Sequence, residues 1–96
     1  MRICETIGSV TLSTWHPLLA GGRYCLAVPL SLENLRGNSA NRAEAFVVYD
    51  ELGAGMGSQI AVSESAEAAQ PFRPQDKPID AYNAAILDAV VLDAVD

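Results

Sequence analysis

Short apolar runs recur along the chain, and glycine, proline or asparagine separates most of them. Runs of this length that are rich in valine, isoleucine and tyrosine are typical of β-strands. Short strands with little room for parallel crossovers favour a small antiparallel β-barrel, which leaves no exposed edge. The predicted strands cover residues 2–12 (bent at Gly8), 23–30, 45–49 and 59–63, and the predicted loops cover residues 13–22, 31–44 and 71–78.

The last apolar run, residues 79–92, leaves two structures open. Its alanine content and Asp80, a suitable N-cap, favour a helix, whereas three β-branched residues near its end allow a strand. The pattern alone leans towards the helix. Upstream of this run, residues 65–70 predict a short helical turn that begins at Ser65.

A glycine loop lies between two predicted strands, with Gly53, Gly55 and Gly57 at alternate positions of DELGAGMGSQIAV. A dinucleotide site needs G-x-G-x-x-G leading into a helix, but Ser58 holds the place of the third glycine and the following residues predict a strand. The Gly-Lys-Ser/Thr sequence of a Walker loop does not occur either. The sequence therefore predicts no nucleotide cofactor. It indicates instead a tight, bare loop that allows close backbone approach, including between symmetry mates.

Composition gives a reason for self-association. The chain has 96 residues, enough for one domain over residues 1–96, and half of them are apolar although only 6% are aromatic. A domain of this size buries only roughly 60–65% of the surface that its unfolded chain exposes. Many small aliphatic side chains must therefore be buried, and a subunit interface is a natural place for them.

The charge balance restricts the partners. Twelve acidic residues against six basic ones give a net charge of −6, which disfavours nucleic acid and anionic membrane surfaces. No apolar run reaches the ~18–20 residues of a spanning helix. The first residues, charged at Arg2 and Glu5, are not typical of a secretory signal. We therefore expect a soluble, intracellular protein that binds neither nucleic acid nor membrane.

The residues that could carry chemistry form no recognisable set. Cys4 and Cys25 have no C-x-x-C spacing, and the single histidine cannot complete a zinc site with them. The aspartates near the C-terminus do not follow the ligand spacing of an EF-hand, and no G-x-S-x-G elbow occurs. The sequence therefore predicts neither a metal site nor an enzyme.

Motifs along nearly the whole chain resemble those of one protein family. DELGAGMG at residues 50–57 matches D-x-x-G-A-G-x-G, and MRICETIGSV at the start matches M-x-I-x-x-x-x-G-x-V. PIDA and ILD near the end resemble P-V-D-A and I-V-D. Together and in this order they resemble the bacterial microcompartment vertex family of the EutN/CcmL type. The chain departs from that pattern at Trp15 and His16, which replace a basic stretch, and at Glu64, which interrupts a G-S-S-A turn.

The resemblance implies a fold and an assembly. It implies a five-stranded, OB-like β-barrel with a short helical turn, and a turn near residues 80–83 followed by a strand near residues 84–91. It also implies a cyclic homopentamer with a narrow central pore. Such a ring caps the vertices of a carboxysome-like shell of hexameric subunits in the bacterial cytoplasm. Its role is structural, because five-fold units supply the curvature that a flat sheet of hexamers lacks.

Two surface groups follow from the resemblance. The first would line the pentamer axis or the subunit contact, where five copies of Glu64 would form a negative ring that repels small anions. The second would contact neighbouring shell hexamers through an exposed tryptophan. The first group comprises Gly53, Ala54, Gly55, Met56, Gly57, Ser63, Glu64 and Ser65, and the second comprises Trp15 and His16. Each group also has a plainer interpretation without a role in assembly. Residues 53–57 would be an ordinary tight turn, residues 63–65 a solvated surface turn, and His16 a surface histidine.

Two other classes of function remain open at this point. An OB-like barrel could bind a small molecule or an oligonucleotide. Basic residues beside exposed aromatic rings would favour oligonucleotide binding, but the net charge of −6 disfavours it. A small enzyme is disfavoured because no convergent set of catalytic residues appears.

Overall fold

The computed structural model describes residues 1–11, 23–65, 68, 70–72 and 79–92. Five strands close into a barrel in the order β1-β2-β3-β5-β4, which confirms the predicted all-β, five-stranded barrel. The strands are β1 (Arg2–Val10), β2 (Tyr24–Pro29), β3 (Phe46–Tyr49), β4 (Gln59–Glu64) and β5 (Ala81–Ile86), and they are joined by one short helix, α1 (Leu32–Leu35), and a 3₁₀ turn (Gln70–Phe72).

Neighbouring strands pair antiparallel except β3 and β5, which run parallel and share one residue pair, Tyr49 with Tyr82. The register of β1 against β2 shifts between Thr6 and Gly8, so the predicted bend at Gly8 coincides with a β-bulge. Such a bulge bends the strand and increases its twist, which helps a short sheet to close.

The C-terminal strand corrects two expectations. The helix towards which the pattern leans is wrong, because residues 81–86 form β5 against β4. The boundaries implied by the resemblance are also wrong, since the strand begins at Ala81 and not after a turn over residues 80–83, and it ends at Ile86, not near residue 91. Ala81 and Asn83 face the interior at the strand period of two. Pairing with β4 therefore overrides the helix propensity of alanine.

Helix α1 lies in the excursion between β2 and β3, which the sequence predicts only as a polar loop. Its N-cap is Ser31, whose hydroxyl accepts from the Asn34 backbone N–H at 3.2 Å while the Asn34 side chain accepts from the Ser31 N–H at 3.1 Å. This is a capping box with asparagine at the position where glutamate or glutamine is usual. Because Asn34 stands there, the sequence lacks the usual S/T-x-x-E/Q pattern that predicts a helix start. The helix buries none of its residues.

The predicted turn over residues 65–70 is described only in part. The Ala68 N–H donates to the Ser65 carbonyl at 3.1 Å, which closes a turn there. Ser65 has φ +55, so its backbone is left-handed and not in the extended conformation of an ordinary N-cap. Residues 66–67 and 69 lie outside the described residues. The same holds for residue 12, the last of the first predicted strand, and for residues 13–22 and 73–78 of the predicted loops.

The interior of the barrel is filled by small side chains. Ile60 is the largest of the fully buried ones. Burial raises the pKa of the Cys4 thiol to about 11 and also raises the pKa of Cys25, so both behave as small neutral side chains. The core comprises Cys4, Cys25, Ala27, Val48, Ile60, Val62 and Ala81.

A second cluster, of aromatic rings, covers the outer face of β2, β3 and β5. Tyr24, Tyr49 and Tyr82 are in register across these strands, and Phe72 from the 3₁₀ turn packs edge-on against Tyr49 and Tyr82 with ring centroids 5.3 Å apart. Edge-to-face pairs add stability beyond the area that they bury. These ring contacts stabilise the packing of β3 against β5, two strands that share only one residue pair.

Candidate functional site

The glycine loop connects β3 to β4 and lies at one end of the barrel. Gly53 has φ +76 and Gly57 has φ +84, a left-handed conformation that favours glycine. Gly55 lies outside that region. Two of the three glycines are therefore explained by the loop's own backbone, and the third is not.

The start of the loop is organised by Asp50, the first residue after β3. Its Oδ1 accepts hydrogen bonds from the backbone N–H groups of Leu52 at 3.0 Å and Gly53 at 3.2 Å, and its Oδ2 accepts from Ala54 at 2.8 Å. Asp50 is only 4% exposed. A buried carboxylate is stable only when it is well hydrogen-bonded, and three loop amides supply most of these bonds.

Asn83 on β5 supplies the fourth bond. Its side-chain Nδ2 donates to Asp50 Oδ1 at 2.9 Å, and Asn83 itself is fully buried. The Asp50 backbone N–H also donates to the Arg23 carbonyl at 2.8 Å. The start of the loop is therefore tied to β5 by a side chain and to the start of β2 by the backbone.

The end of the loop is tied to β1. The Gly57 N–H donates to the Thr6 carbonyl at 2.7 Å, and the Thr6 N–H donates to the Ser58 carbonyl at 2.9 Å. The Ser58 N–H donates to the Gly55 carbonyl at 3.1 Å, which makes residues 55–58 a β-turn with Gly57 at the third position, where type II turns require a left-handed residue. Both ends of the loop are thus fixed to the barrel.

The middle of the loop is bare and faces outward. Met56 is 80% exposed and Leu52 is half-exposed. A Cβ added at Gly55 would approach only Ser58 Oγ, at 3.9 Å, and one at Gly57 would meet nothing within 4 Å. Space around the loop is therefore open within the subunit, and an apolar side chain stands at its tip.

The geometry also bears on the phosphate hypothesis. A phosphate-binding loop offers free backbone N–H groups to its ligand. Here the N–H groups of Leu52, Gly53 and Ala54 already donate to the Asp50 carboxylate, and the loop continues into a strand. The site has the chemistry of a rigid surface loop and not that of an anion cradle.

The residues Ser63, Glu64 and Ser65 lie at the far end of β4. The strand has six residues and so a length of ~20 Å at the usual rise per residue. The subunit therefore does not bring these residues together with the glycine loop. Ser63 is buried; of these three residues, only Glu64 and Ser65 reach the surface.

Glu64 is paired within the subunit. Arg2 Nε donates to both of its carboxylate oxygens, at 3.1 and 3.0 Å, and Arg2 Nη2 also donates to Oε1. The guanidinium lies over the Phe46 ring, 5.3 Å from its centroid. The hydrogen bond to Glu64 raises the pKa of Arg2. The Glu64 carboxylate, which the resemblance places near a pore, therefore has the positive charge of Arg2 beside it.

Asp50 and Asn83 hold the loop, although the sequence alone predicts this role for neither of them. The one available signal is that Asp50 directly follows the strongest β-segment and opens the glycine motif, while Asn83 interrupts an otherwise apolar strand. The predicted shell contact, Trp15 and His16, lies outside the described residues.

The metal-ligating side chains in the described part of the chain are dispersed. Within these ranges no three His, Cys, Asp or Glu side chains lie together as a metal site. Of the helices in the same residues, none has both the length and the apolar character needed to cross a membrane.

The fold and the glycine loop agree with a comparison of the sequence to protein families. The profile of the family described as ethanolamine utilisation protein EutN/carboxysome matches residues 1–88. The chain belongs to this family. The match includes the glycine loop, β5 and both members of the Asp50–Asn83 pair.

Three solved structures have the same fold, and one of them is of a pentameric microcompartment shell protein. The GrpN pentameric microcompartment shell protein from Rhodospirillum rubrum is 26% identical, and the match covers 96% of this chain and 99% of that chain with a TM-score of 0.78. Gloeobacter violaceus CcmL is 24% identical over 97% and 91% of the two chains, with a TM-score of 0.81. EutN from Escherichia coli is 23% identical over 96% and 89%, with a TM-score of 0.77. No curated protein matches the sequence.

Proposed function

We propose that this EutN/carboxysome-family chain is the pentameric vertex protein of a bacterial microcompartment shell. It is a structural shell component and not an enzyme. Its function is to form a five-membered ring that closes a polyhedral shell of hexameric subunits in the bacterial cytoplasm. The family match over residues 1–88, together with the closed five-stranded barrel, carries this proposal.

The described surface supports association between copies. The barrel core holds nothing larger than isoleucine among its fully buried side chains, so the subunit alone gains limited stability from burial. Large apolar side chains remain exposed at the glycine-loop end, where Met56 and Leu52 project and Ile86 is also accessible. Full burial of an exposed side chain of this size is worth about 1.5–3 kcal/mol, and burial of Leu52 or Ile86 is worth less because each is already about half-buried.

We assign the contact between copies to the glycine loop and not to Glu64. The unexplained glycine, Gly55, fits a position where the backbone of a second copy approaches closely, because any side chain there would stand in the way. The Glu64 carboxylate is bonded to Arg2, so a ring of these residues would carry ion pairs. A ring of five such ion pairs would repel anions less strongly than a ring of five unpaired carboxylates.

A heterologous contact suits this assignment. The glycine loop lies at one end of β4 and the Arg2–Glu64 pair at the other, so the two ends of the subunit present different surfaces. Contacts between unlike surfaces generate rings when the rotation between copies closes. A ring of five then supplies the curvature at a shell vertex.

The test of the vertex function is shell closure. The chain would be co-expressed with hexameric microcompartment shell proteins, and the assemblies would be imaged by electron microscopy. Closed polyhedra with the chain and open sheets or tubes without it would support the proposal. Equally closed shells in its absence would contradict it. A chain that binds small molecules or oligonucleotides would have no effect on shell shape.

A further inference from the structure

The glycine loop has three glycines within five residues, a composition that leaves a free loop with many backbone conformations. In the structure, the first three loop amides after Glu51 are all bonded to one side chain, Asp50. The carboxylate is buried beneath the loop. The order of the loop therefore originates inside the barrel and not at its surface.

The carboxylate is in turn held from β5, the strand next to β3 in the barrel. Asn83 Nδ2 donates to Asp50 Oδ1 at 2.9 Å, and Asn83 is inward-facing and fully buried on β5. The two residues are 33 positions apart in sequence. The hydrogen bond from Asn83 fixes the orientation of the Asp50 carboxylate. Because this donor lies on the barrel side, the remaining lone pairs of the carboxylate point to the loop amides.

We propose that Asp50, oriented by Asn83, is the positioning residue that fixes the glycine loop in the conformation that assembly needs. This inference rests on the proposed function, in which the loop is the contact between copies. Association that has to order a loop is weakened by the conformational entropy that the loop loses. A loop ordered in the free subunit avoids that loss, so Asp50 strengthens association without touching the second copy.

The variant that tests this role is Asp50→Asn. Asparagine has the same shape, but it has one acceptor oxygen and places an NH₂ donor against donors of the loop or of Asn83. Asp88→Asn is the matched control, because it removes the same charge from an exposed residue just after β5. We expect the Leu52, Gly53 and Ala54 amides of Asp50→Asn to exchange about tenfold faster or more. The association constant should fall by a similar factor, and Asp88→Asn should change neither.

A second measurement does not depend on how well Asp50→Asn folds. Met56→Glu places a charge at the exposed tip of the loop, where the native side chain takes no part in the Asp50 carboxylate's bonds, and keeps the subunits apart. In this dissociated subunit the three loop amides should still exchange slowly, because Asp50 protects them before assembly. Exchange at the rate of an unstructured peptide would overturn the positioning role.

The outcomes also distinguish this inference from the function on which it rests. A wild-type chain that stays monomeric while its loop amides exchange slowly would contradict the pentamer and leave the anchoring by Asp50 intact. A pentameric chain whose folded Asp50→Asn variant associates as tightly as the wild type would contradict the positioning role alone.

Discussion

The guanidinium of Arg2 and the carboxylate of Glu64 join the first residue of β1 to the last residue of β4, with two hydrogen bonds from Nε to the two carboxylate oxygens. The pair closes the barrel at the end opposite the glycine loop. Both side chains are partly solvated, with exposures of 50% and 33%, so solvent screens much of their attraction.

Removing this ion pair should therefore have a small effect. We expect Glu64→Gln to lower the free energy of unfolding by about 0.2–1 kcal/mol, and less at high salt. Arg2→Ala should cost more, because it also removes the stacking over Phe46, which contributes roughly 0.5–1 kcal/mol at exposed sites. Urea unfolding at low and high ionic strength measures both. A loss of several kcal/mol in Glu64→Gln would show that the pair is not screened as described.

The glycines offer a matched pair of substitutions. Gly57→Ala forces alanine to φ +84 and should destabilise the subunit by about 1–2 kcal/mol. Gly55→Ala should leave the subunit's stability nearly unchanged, since its Cβ meets only Ser58 Oγ at an ordinary 3.9 Å.

Gly55→Ala also reports on assembly. If copies approach each other at this loop, the added methyl group should weaken their association while unfolding of the dissociated subunit is unaffected. Sedimentation and thermal unfolding of the same samples separate the two effects. Unchanged association would place the contact between copies elsewhere on the subunit.

The exposed tip of the loop gives a further prediction. Met56→Glu should shift the chain towards monomers, because a charge replaces an apolar side chain that assembly would bury; we expect the association constant to fall by at least about tenfold. Leu32→Glu on α1, where the native leucine is 52% exposed, is the control and should leave the oligomer intact. Size-exclusion chromatography at several concentrations measures the shift. An oligomer that Met56→Glu leaves unchanged would exclude the loop tip from the interface.

The buried thiols predict how stability depends on pH. The pKa of Cys4 is raised from 9.0 to about 11, so the folded state disfavours the thiolate. The stability that this preference contributes is complete below pH ~9 and is lost as the pH rises towards ~11, by about 1.4 kcal/mol for each tenfold change in proton concentration. Unfolding free energies between pH 8 and 11 should fall accordingly, and Cys4→Ala should make that fall shallower. An equally steep fall in Cys4→Ala would assign the dependence to other groups.

The sequence predicts the barrel well because strand signals are local. Runs such as residues 45–49 contain enough β-branched and aromatic residues to predict β3 alone, and Gly8 marks the bulge in β1. Residues 81–86 defeat this reasoning because alanine favours a helix in isolation. Only the partner strand β4, far away in sequence, makes them a strand.

The candidate site was predictable in position but not in mechanism. The glycine spacing indicates a tight loop, and the structure places it between β3 and β4. The contacts that hold it depend on residues 33 positions apart, and the pairing of Glu64 depends on one 62 positions away. A local sequence pattern cannot predict contacts between residues so far apart in the chain. The sequence therefore gives no sign that the Glu64 carboxylate is paired with Arg2.

The central claim is that folded copies of this chain close into a ring of five through the glycine-loop end. Native mass spectrometry of the purified chain tests it most directly. We expect a dominant species at five times the subunit mass of 10.2 kDa, which Met56→Glu converts to single subunits. A folded wild-type chain that remains monomeric at micromolar concentration, or that forms a ring of another number, would contradict it.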